Sequence, residues 1–320
     1  MLSSTTAQQL SSSSRSSRKL WRLDSDDEFI ISDADSSSSG SEDDRPCRRP
    51  YFHRSLLLLL RSRLIPPKSC ALYSAGLNLN HKAAPWCFSC RTAELRSAAA
   101  ALQQHGVVVF SRAMERKTCE VCLEYAVNKL VSALCLPNSE REHIFAPVHA
   151  RQHRHDLLLQ LVTPVQRLLV ELRGLVCGEL LEQAVGKDAV LCELSAIFSE
   201  PGAVQQPLHS DTSFNGEYAE GHGRLARMVT TFVALQDISV EMGPTIVYPG
   251  THTFAFHDWY YRSGYPSALR PLLFRTRLSV QLNLAVGDVV IMDSRLWHAG
   301  GANRAEQRRA LFVASFLSND

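Results

Sequence analysis

The sequence carries little excess charge of either sign. Its 34 Lys and Arg residues face 32 Asp and Glu residues among 320, which leaves a formal net charge of +2. The basic residues do not gather into a long stripe, so nucleic acid is not expected to be the main partner. The longest purely aliphatic run is the segment SLLLLL, far short of the roughly 20 residues that span a bilayer. The composition therefore predicts a chain without a membrane span.

Several chemical signatures are also missing. The chain has no glycine-rich loop of the kind that cradles phosphates and no G-x-S-x-G nucleophile turn. It begins without the apolar core of a secretory signal, and its nine cysteines are an odd number scattered along the sequence. Because disulfide frameworks use even sets in small secreted domains, we expect mostly buried free thiols. The predicted location is intracellular, cytoplasmic or organellar, and not secreted.

Two C-x-x-C pairs have a spacing that structural zinc sites use, namely Cys87 with Cys90 and Cys119 with Cys122. The second pair lies in a helical pattern, and neither pair is flanked by the glycine-rich knuckle turn that such sites often contain. We therefore do not expect a structural zinc site here.

The first part of the chain differs in composition from the rest. Serine fills 15 of the first 41 positions, and residues 24–44 include nine acidic residues. Such a segment buries too little apolar surface to offset its ordering entropy, so residues 1–67 are predicted to form a disordered tail. Residues 1–23 are rich in serine, contain four basic residues and have no acid. That composition fits an organellar transit peptide and a plain disordered tail equally well.

Residues 68–320 are predicted to form one domain with two different halves. Between about residues 91 and 186, apolar residues recur at the spacing of helices, including the stretches 114–134 and 154–185. From about residue 188 to residue 318, some six short strand-like segments are separated by turn signals. Helices followed by a run of strands predict an α+β chain with a mainly β core. The first helix is expected to have Thr92 as its N-cap and to end before Gly106.

Three polar residues in the second half have the character of metal ligands. His209 and Asp211 are one residue apart, so in an extended chain both side chains point to the same face. His298 follows a strand-like segment 89 positions later. Two imidazoles and a carboxylate on one side of an ion form the facial triad of non-haem Fe(II) sites, which leaves open positions for substrates. The H-x-D pattern by itself is weak, because it occurs by chance in many proteins.

Three segments in this order resemble the phytanoyl-CoA dioxygenase-like (PhyH) family of Fe(II)/2-oxoglutarate-dependent dioxygenases. They are QQPLHSDTSF, FVALQDISVEMGPTIVYPGTHT and LAVGDVVIMDSRLWHAGGANRAEQRRALFVASF. The likeness extends over about residues 92–318 and is strong in these segments. It implies a double-stranded β-helix (jelly roll) with flanking N-terminal helices. It also implies that His209, Asp211 and His298 are the iron ligands.

The resemblance further implies a basic residue that holds the far carboxylate of 2-oxoglutarate. Arg309 stands at the family's position, eleven residues after His298. A planar guanidinium takes a carboxylate through two parallel hydrogen bonds, which an ammonium cannot match. The neighbouring Arg308 is the alternative, although it would point to the opposite face of the strand. Gln206 and Thr231 are further candidates for binding the cosubstrate or lining its pocket.

The activity implied by this resemblance is that of an oxygenase. Such an enzyme would use Fe(II), 2-oxoglutarate and O₂ to hydroxylate a small organic or lipid-like substrate, and would release succinate and CO₂. Related halogenases have a small residue where this chain has Asp211, so the carboxylate favours hydroxylation. Two alternatives stay open: a catalytically silent jelly roll that binds or regulates a partner, and the same scaffold with another divalent metal. The sequence makes no prediction of substrate identity or oligomeric state.

Overall fold

A computed structural model describes most of the predicted domain. The described residues are 19–23, 29–33, 79–80, 82, 84–90, 93–141, 143–212, 228–264, 267–274 and 277–319. Two short segments of the predicted tail are among them. The rest of residues 1–67 lies outside the described residues, so the disordered tail, the transit peptide and the domain boundary at residue 68 stay predictions.

Short strands make up most of the regular structure. They are β1 (Lys19–Leu23), β2 (Phe29–Asp33), β3 (Leu79–Asn80), β4 (Cys87–Ser89), β5 (Val107–Ser111), β6 (Phe145–Ala146), β7 (Arg154–Leu158), β8 (Val190–Ser199), β9 (Met228–Ala234), β10 (Thr245–Val247), β11 (Val280–Gln281), β12 (Val289–Asp293), β13 (His298–Gly300) and β14 (Arg309–Leu317). The six strand-like segments predicted after residue 188 correspond to β8, β9, β10, β11, β12 and β14. They contain the β-branched and aromatic residues that suit a pleated surface.

These strands form two sheets. The larger sheet has the order β2-β1-β8-β14-β9-β12-β5-β4, with β7 paired to β8 and β6 paired to β7. The smaller sheet has the order β13-β10-β11-β3. The side chain of Arg309 in the larger sheet hydrogen-bonds the carbonyl of Gly243, which precedes β10, so the inner face of one sheet lies against the other. This arrangement confirms the α+β class and the jelly-roll core that the resemblance implied.

Six α-helices lie in the described part of the chain. They are α1 (Leu95–His105), α2 (Arg116–Leu134), α3 (Asn138–Arg141), α4 (Thr163–Arg173), α5 (Val176–Val185) and α6 (Phe254–Tyr261). The first helix ends where expected, because Gly106 adopts a φ of 76° that favours glycine. Its start differs from the prediction, since Glu94 and not Thr92 occupies the N-cap position. None of these helices has the length and apolar character that crossing a membrane requires.

The stretch 154–185 is not helical throughout, so that prediction is wrong at its start. Arg154–Leu158 pairs with β8 as the strand β7, and α4 begins only at Thr163, with a proline in its first turn. Alternate residues Arg154 and Asp156 are buried in β7, which is the period of a strand. Charged residues at buried positions hide this period in the sequence, because charged side chains are normally expected to face solvent.

The two faces of the larger sheet have different chemical character. Phe198 of β8 and Phe312 of β14 belong to one apolar cluster that also contains Leu102 of α1 and Leu168 of α4. The helices therefore cover this outer face. Strand alternation turns Arg309 and its neighbours of the same parity to the inner face, towards the smaller sheet. The inner face is where the candidate site residues are found.

Candidate metal centre

The backbone brings His209 and His298 together. The main-chain N–H of His209 donates to the carbonyl of His298 at 3.0 Å, and the N–H of His298 donates to the carbonyl of His209 at 2.8 Å. This antiparallel bridge continues the smaller sheet beyond β13. It places the two imidazole rings with their centroids 4.5 Å apart. Two residues far apart in the sequence thus become neighbours through main-chain pairing.

Asp211 completes a group of three. Its Oδ1 atom lies 3.8 Å from Nε2 of His209 and 3.5 Å from Nε2 of His298. One ligand atom from each of the three residues falls within a mutual distance of 4.8 Å. In the described part of the chain, this is the group of His, Cys, Asp or Glu side chains with the geometry to hold a metal ion.

The orientation of both imidazoles fits metal binding. Nδ1 of His209 lies 2.8 Å from the carbonyl oxygen of Pro207, and Nδ1 of His298 lies 2.9 Å from that of Leu296. Each Nδ1 can donate its proton to a carbonyl, so each Nε2 is left with a lone pair directed at Asp211. Such hydrogen bonds from the far nitrogen fix the tautomer and the ring orientation of metal-binding histidines. The donor set of two imidazoles and one carboxylate suits Fe(II).

Burial shifts the titration of these groups. Loss of solvent lowers the pKa of His209 and of His298 to about 4, so both rings are neutral near pH 7, as metal ligands must be. Loss of solvent also raises the pKa of Asp211 to about 6, although 30% of its side chain remains accessible. The nearby imidazoles partly offset that rise. The group is therefore prepared for a cation without already containing one.

Arg309 lies at the start of β14 on the inner face and is only 2% exposed. Its Nη1 donates to the carbonyl of Gly243, and its Nη2 donates to Oγ of Ser199 at 3.1 Å. Its Nε is buried and has no hydrogen-bond partner among the described residues. Arg308 points the other way, as expected, and pairs with Glu200 at 3.0 Å. Of the two arginines, Arg309 is therefore the one that faces the interior.

Arg154 is a second buried guanidinium, which the sequence reasoning missed. It is 2% exposed, and its Nε donates to the same Ser199 Oγ at 3.1 Å. Its Nη1 and Nη2 donate to the carbonyls of Val204 and Gly301, each at 3.1 Å. Burial and the charge of Arg154 lower the pKa of Arg309 to about 9. Two buried cations that share one hydroxyl make this end of the interior a site for an anion.

Gln206 lies between these arginines and the metal group. Its Oε1 accepts a hydrogen bond from the N–H of Gly300 at 2.7 Å, and its Nε2 donates to the carbonyl of His149 at 3.3 Å. The side chain thus joins β13 to the loop before β7. The exposed His149 also lies beside the metal group, with its ring centroid 4.5 Å from that of His209. A cosubstrate role for Gln206 stays a prediction.

Thr231 is not brought to this group of residues. In the register of the larger sheet it pairs with Ala314 of β14 and Ile291 of β12, on the face that the helices cover. Its neighbour Thr230 pairs with Ser315 and faces the interior. The predicted choice between adjacent threonines therefore differs from the structure by one position. One position along a strand is enough to exchange its faces.

Comparison with known proteins identifies relatives of this arrangement. A family model described as phytanoyl-CoA dioxygenase (PhyH) matches residues 102–311. The dioxygenase andF of Emericella variicolor is 31% identical over 124 residues, which are 38% of this chain and 39% of that protein. The dioxygenase af480 of Aspergillus fumigatus is 25% identical over 229 residues, which are 70% of this chain and 67% of that protein. The chain thus spans about two fifths of the first relative's length.

Solved structures share the fold. The non-haem alpha-ketoglutarate-dependent carbocyclase SnoK from nogalamycin biosynthesis has a TM-score of 0.52 at 18% identity, over 72% of this chain and 87% of SnoK. The epimerase SnoN, solved in complex with Fe3+, alpha-ketoglutarate and nogalamycin RO, has a TM-score of 0.50 at 19% identity, over 70% of this chain and 83% of SnoN. At these identities the likeness establishes the fold.

Proposed function

The chain belongs to the phytanoyl-CoA dioxygenase family, and on that premise we propose that it is an Fe(II)- and 2-oxoglutarate-dependent oxygenase. The proposed reaction is the hydroxylation of a small organic or lipid-like substrate. One observation carries the proposal: a group of three potential metal ligands opens onto the same interior as two buried arginines without a carboxylate partner among the described residues. A metal chelator with a distant carboxylate, such as 2-oxoglutarate, matches both features.

His209, Asp211 and His298 would hold the metal. Iron bound there would supply oxygen activation coupled to the oxidative decarboxylation of 2-oxoglutarate to succinate and CO₂. The three protein ligands come from one side and would leave other positions open for the cosubstrate and O₂. The carbonyls of Pro207 and Leu296 hold the imidazole protons at Nδ1, so neither ring has to rotate or change tautomer when the metal binds.

Arg309 and Arg154 would hold the far carboxylate of the cosubstrate. Ser199 fixes both guanidiniums from between them, and the carbonyls around Arg154 occupy its remaining donors on one side. The free Nε of Arg309 is a donor for a carboxylate oxygen. Because the site is buried, each charge-assisted hydrogen bond is strong and the anion is shielded from water. The acid is thus anchored at its far end while its keto-acid end reaches the metal.

The proposal is tested by anaerobic titration of the metal-free chain with Fe(II) and 2-oxoglutarate. A weak visible charge-transfer band is expected for the chelated complex. Asp211→Ala should lose the band, Arg309→Ala should weaken it at the same 2-oxoglutarate concentration, and Arg308→Ala should retain it. Absence of the band from folded, metal-loaded wild type would refute the oxygenase proposal and favour a catalytically silent binding module.

A further inference from the structure

A second group of buried polar side chains occupies the other end of the same inner face. Ser315 of β14 stands opposite Glu193 of β8 and Thr230 of β9. Its hydroxyl donates to Oε2 of Glu193 at 2.5 Å and lies 3.1 Å from the hydroxyl of Thr230. These three side chains form a continuous polar row across the sheet. The row is separate from the arginines that would hold the cosubstrate.

Asp156 adds a second carboxyl group to this row. It lies on β7, in the register of Ile197, so it shares the inner face of β8 with Ser195. Asp156 is only 5% exposed, and its Oδ1 has no hydrogen-bond partner among the described residues. The hydroxyl of Ser195, at 0% exposure, also lacks one. A buried carboxyl oxygen and a buried hydroxyl are therefore both available to another molecule.

The described residues supply no cation to either carboxyl group. Arg154 is two residues from Asp156 on the same face, but its donors go to Ser199, Val204 and Gly301. Burial raises the pKa of Asp156 to about 6 and raises the pKa of Glu193, and the charge of Asp211 raises both further. Buried carboxylates without a cationic partner are costly in a folded protein. A ligand with a positive charge would relieve that cost.

The row lies close to the reacting centre. Asp211, a member of the metal group, is near enough to act electrostatically on both Asp156 and Glu193. Arg309 and Ser315 are six positions apart on β14, which places them about 20 Å apart along the strand. The interior thus has a cationic end, where 2-oxoglutarate would be anchored, and an anionic end beyond the metal. A substrate in the anionic end would lie beside the metal without competing with the cosubstrate.

We propose that Asp156 and Glu193 bind a protonated amine of the substrate, so that the enzyme acts on a compound with a basic nitrogen. This inference rests on the proposed oxygenase function and names the substrate class for the same site. An ammonium group has donors and no acceptor, which matches two carboxylates that accept. The hydroxyls of Ser195 and Thr230 provide further acceptors around it. A neutral alcohol would also find acceptors here but would leave the charges of the carboxylates uncompensated.

Matched probes test the inference in the full-length chain loaded anaerobically with Fe(II) and 2-oxoglutarate. Benzylammonium and cyclohexylammonium are compared with the neutral benzyl alcohol and cyclohexanol by calorimetric titration and by perturbation of the visible band. Wild type is expected to bind each ammonium about tenfold or more tightly than its alcohol. Asp156→Asn and Glu193→Gln should each reduce that preference and the double variant should abolish it. Glu241→Gln, which removes one charge from an exposed side chain, should leave it unchanged.

The outcomes separate this inference from the proposed function. A visible band without a preference for the ammonium probes would overturn the amine site and leave the oxygenase proposal standing. A preference without the band would support the amine site in a protein that is not an oxygenase. A preference that survives in the double variant would also overturn the inference, because the selectivity would then arise elsewhere. Melting temperatures of the variants show whether each is folded.

Discussion

His209 and His298 hydrogen-bond to each other twice through their main chains, at 3.0 and 2.8 Å. The distance between the two imidazoles is therefore set by sheet pairing and not by side-chain contacts. Their Nδ1 atoms are held by backbone carbonyls as well, so both rings depend on main-chain geometry for position and tautomer. Asp211 is the only member of the group that sits beyond the paired segment, and it is the natural position at which to disrupt the site without disturbing the sheet.

Asp211→Ala is expected to weaken metal binding by at least about 100-fold, since loss of even an outer partner of a metal ligand lowers affinity about 10- to 100-fold. Anaerobic calorimetric titration with Fe(II) measures the change. Asp258→Ala is the matched control, because Asp258 pairs with Arg262 on the surface of α6. Equal affinities in wild type and Asp211→Ala would show that this carboxylate is not a ligand.

Arg309→Lys is expected to weaken 2-oxoglutarate binding by about tenfold or more, since an ammonium cannot replace the two parallel donors of a guanidinium. Arg308→Lys should change it little, because Arg308 faces Glu200 on the other side of the strand. The measurement is the 2-oxoglutarate dependence of the visible band at saturating Fe(II). The reverse order of effects would assign the anchor to Arg308.

Gly300→Ala should impair cosubstrate binding from within β13. A Cβ atom at this position would lie 2.5 Å from Oε1 of Gln206 and 3.4 Å from Nη2 of Arg309. We expect the amide to be displaced and the affinity for 2-oxoglutarate to fall about tenfold. Gly174→Ala is the control, because its Cβ would meet no atom nearer than 3.6 Å. Unchanged 2-oxoglutarate affinity in Gly300→Ala would argue against tight packing between Gln206 and Arg309.

Asp156→Asn is expected to remove part of the pH dependence of folding stability. The pKa of Asp156 is raised by burial to about 6, whereas the carboxyl of an unfolded chain titrates near about 3.9. The resulting stabilisation is complete below the unfolded pKa and is lost as the pH rises through about 6. Relative to the variant, wild type should therefore gain about 1 kcal/mol of unfolding free energy between pH 7 and pH 5.

Urea denaturation of the metal-free proteins at several pH values provides this comparison. Glu193, Asp211 and the two histidines titrate in both proteins, so the difference between wild type and variant isolates Asp156. Parallel stability profiles for the two proteins would mean that Asp156 is solvated in the folded state.

The sequence was sufficient to predict the candidate ligands. His209 and Asp211 share a face in any extended chain, and the resemblance supplied His298 as their partner. It was not sufficient to predict Arg154 and Asp156, because a strand with alternating buried charges has no apolar period to detect. Those charges become intelligible only beside Ser199 and Ser195, which belong to a different strand. Pairing between distant segments is what local sequence patterns do not contain.

Thr231 illustrates a finer limit. The segment was correctly predicted as a strand, and one of its two adjacent threonines does face the interior. Which of them does so depends on the register against Ser315 and Ala314 of β14. A local pattern of consecutive buried residues, as in β9, has no alternation from which to assign faces. The choice of Thr231 over Thr230 therefore required the pairing of three strands.

Strand β14 encodes two messages in alternate letters. Phe312 and Ala314 are read by the helices, while Arg309 and Ser315 are read by whatever enters the interior. A single-residue deletion at the start of this strand would transpose the messages, bringing a phenylalanine ring to the reacting centre and a guanidinium into the oily layer. Substitutions can therefore adapt this strand to new chemistry one letter at a time, whereas changes in its length cannot.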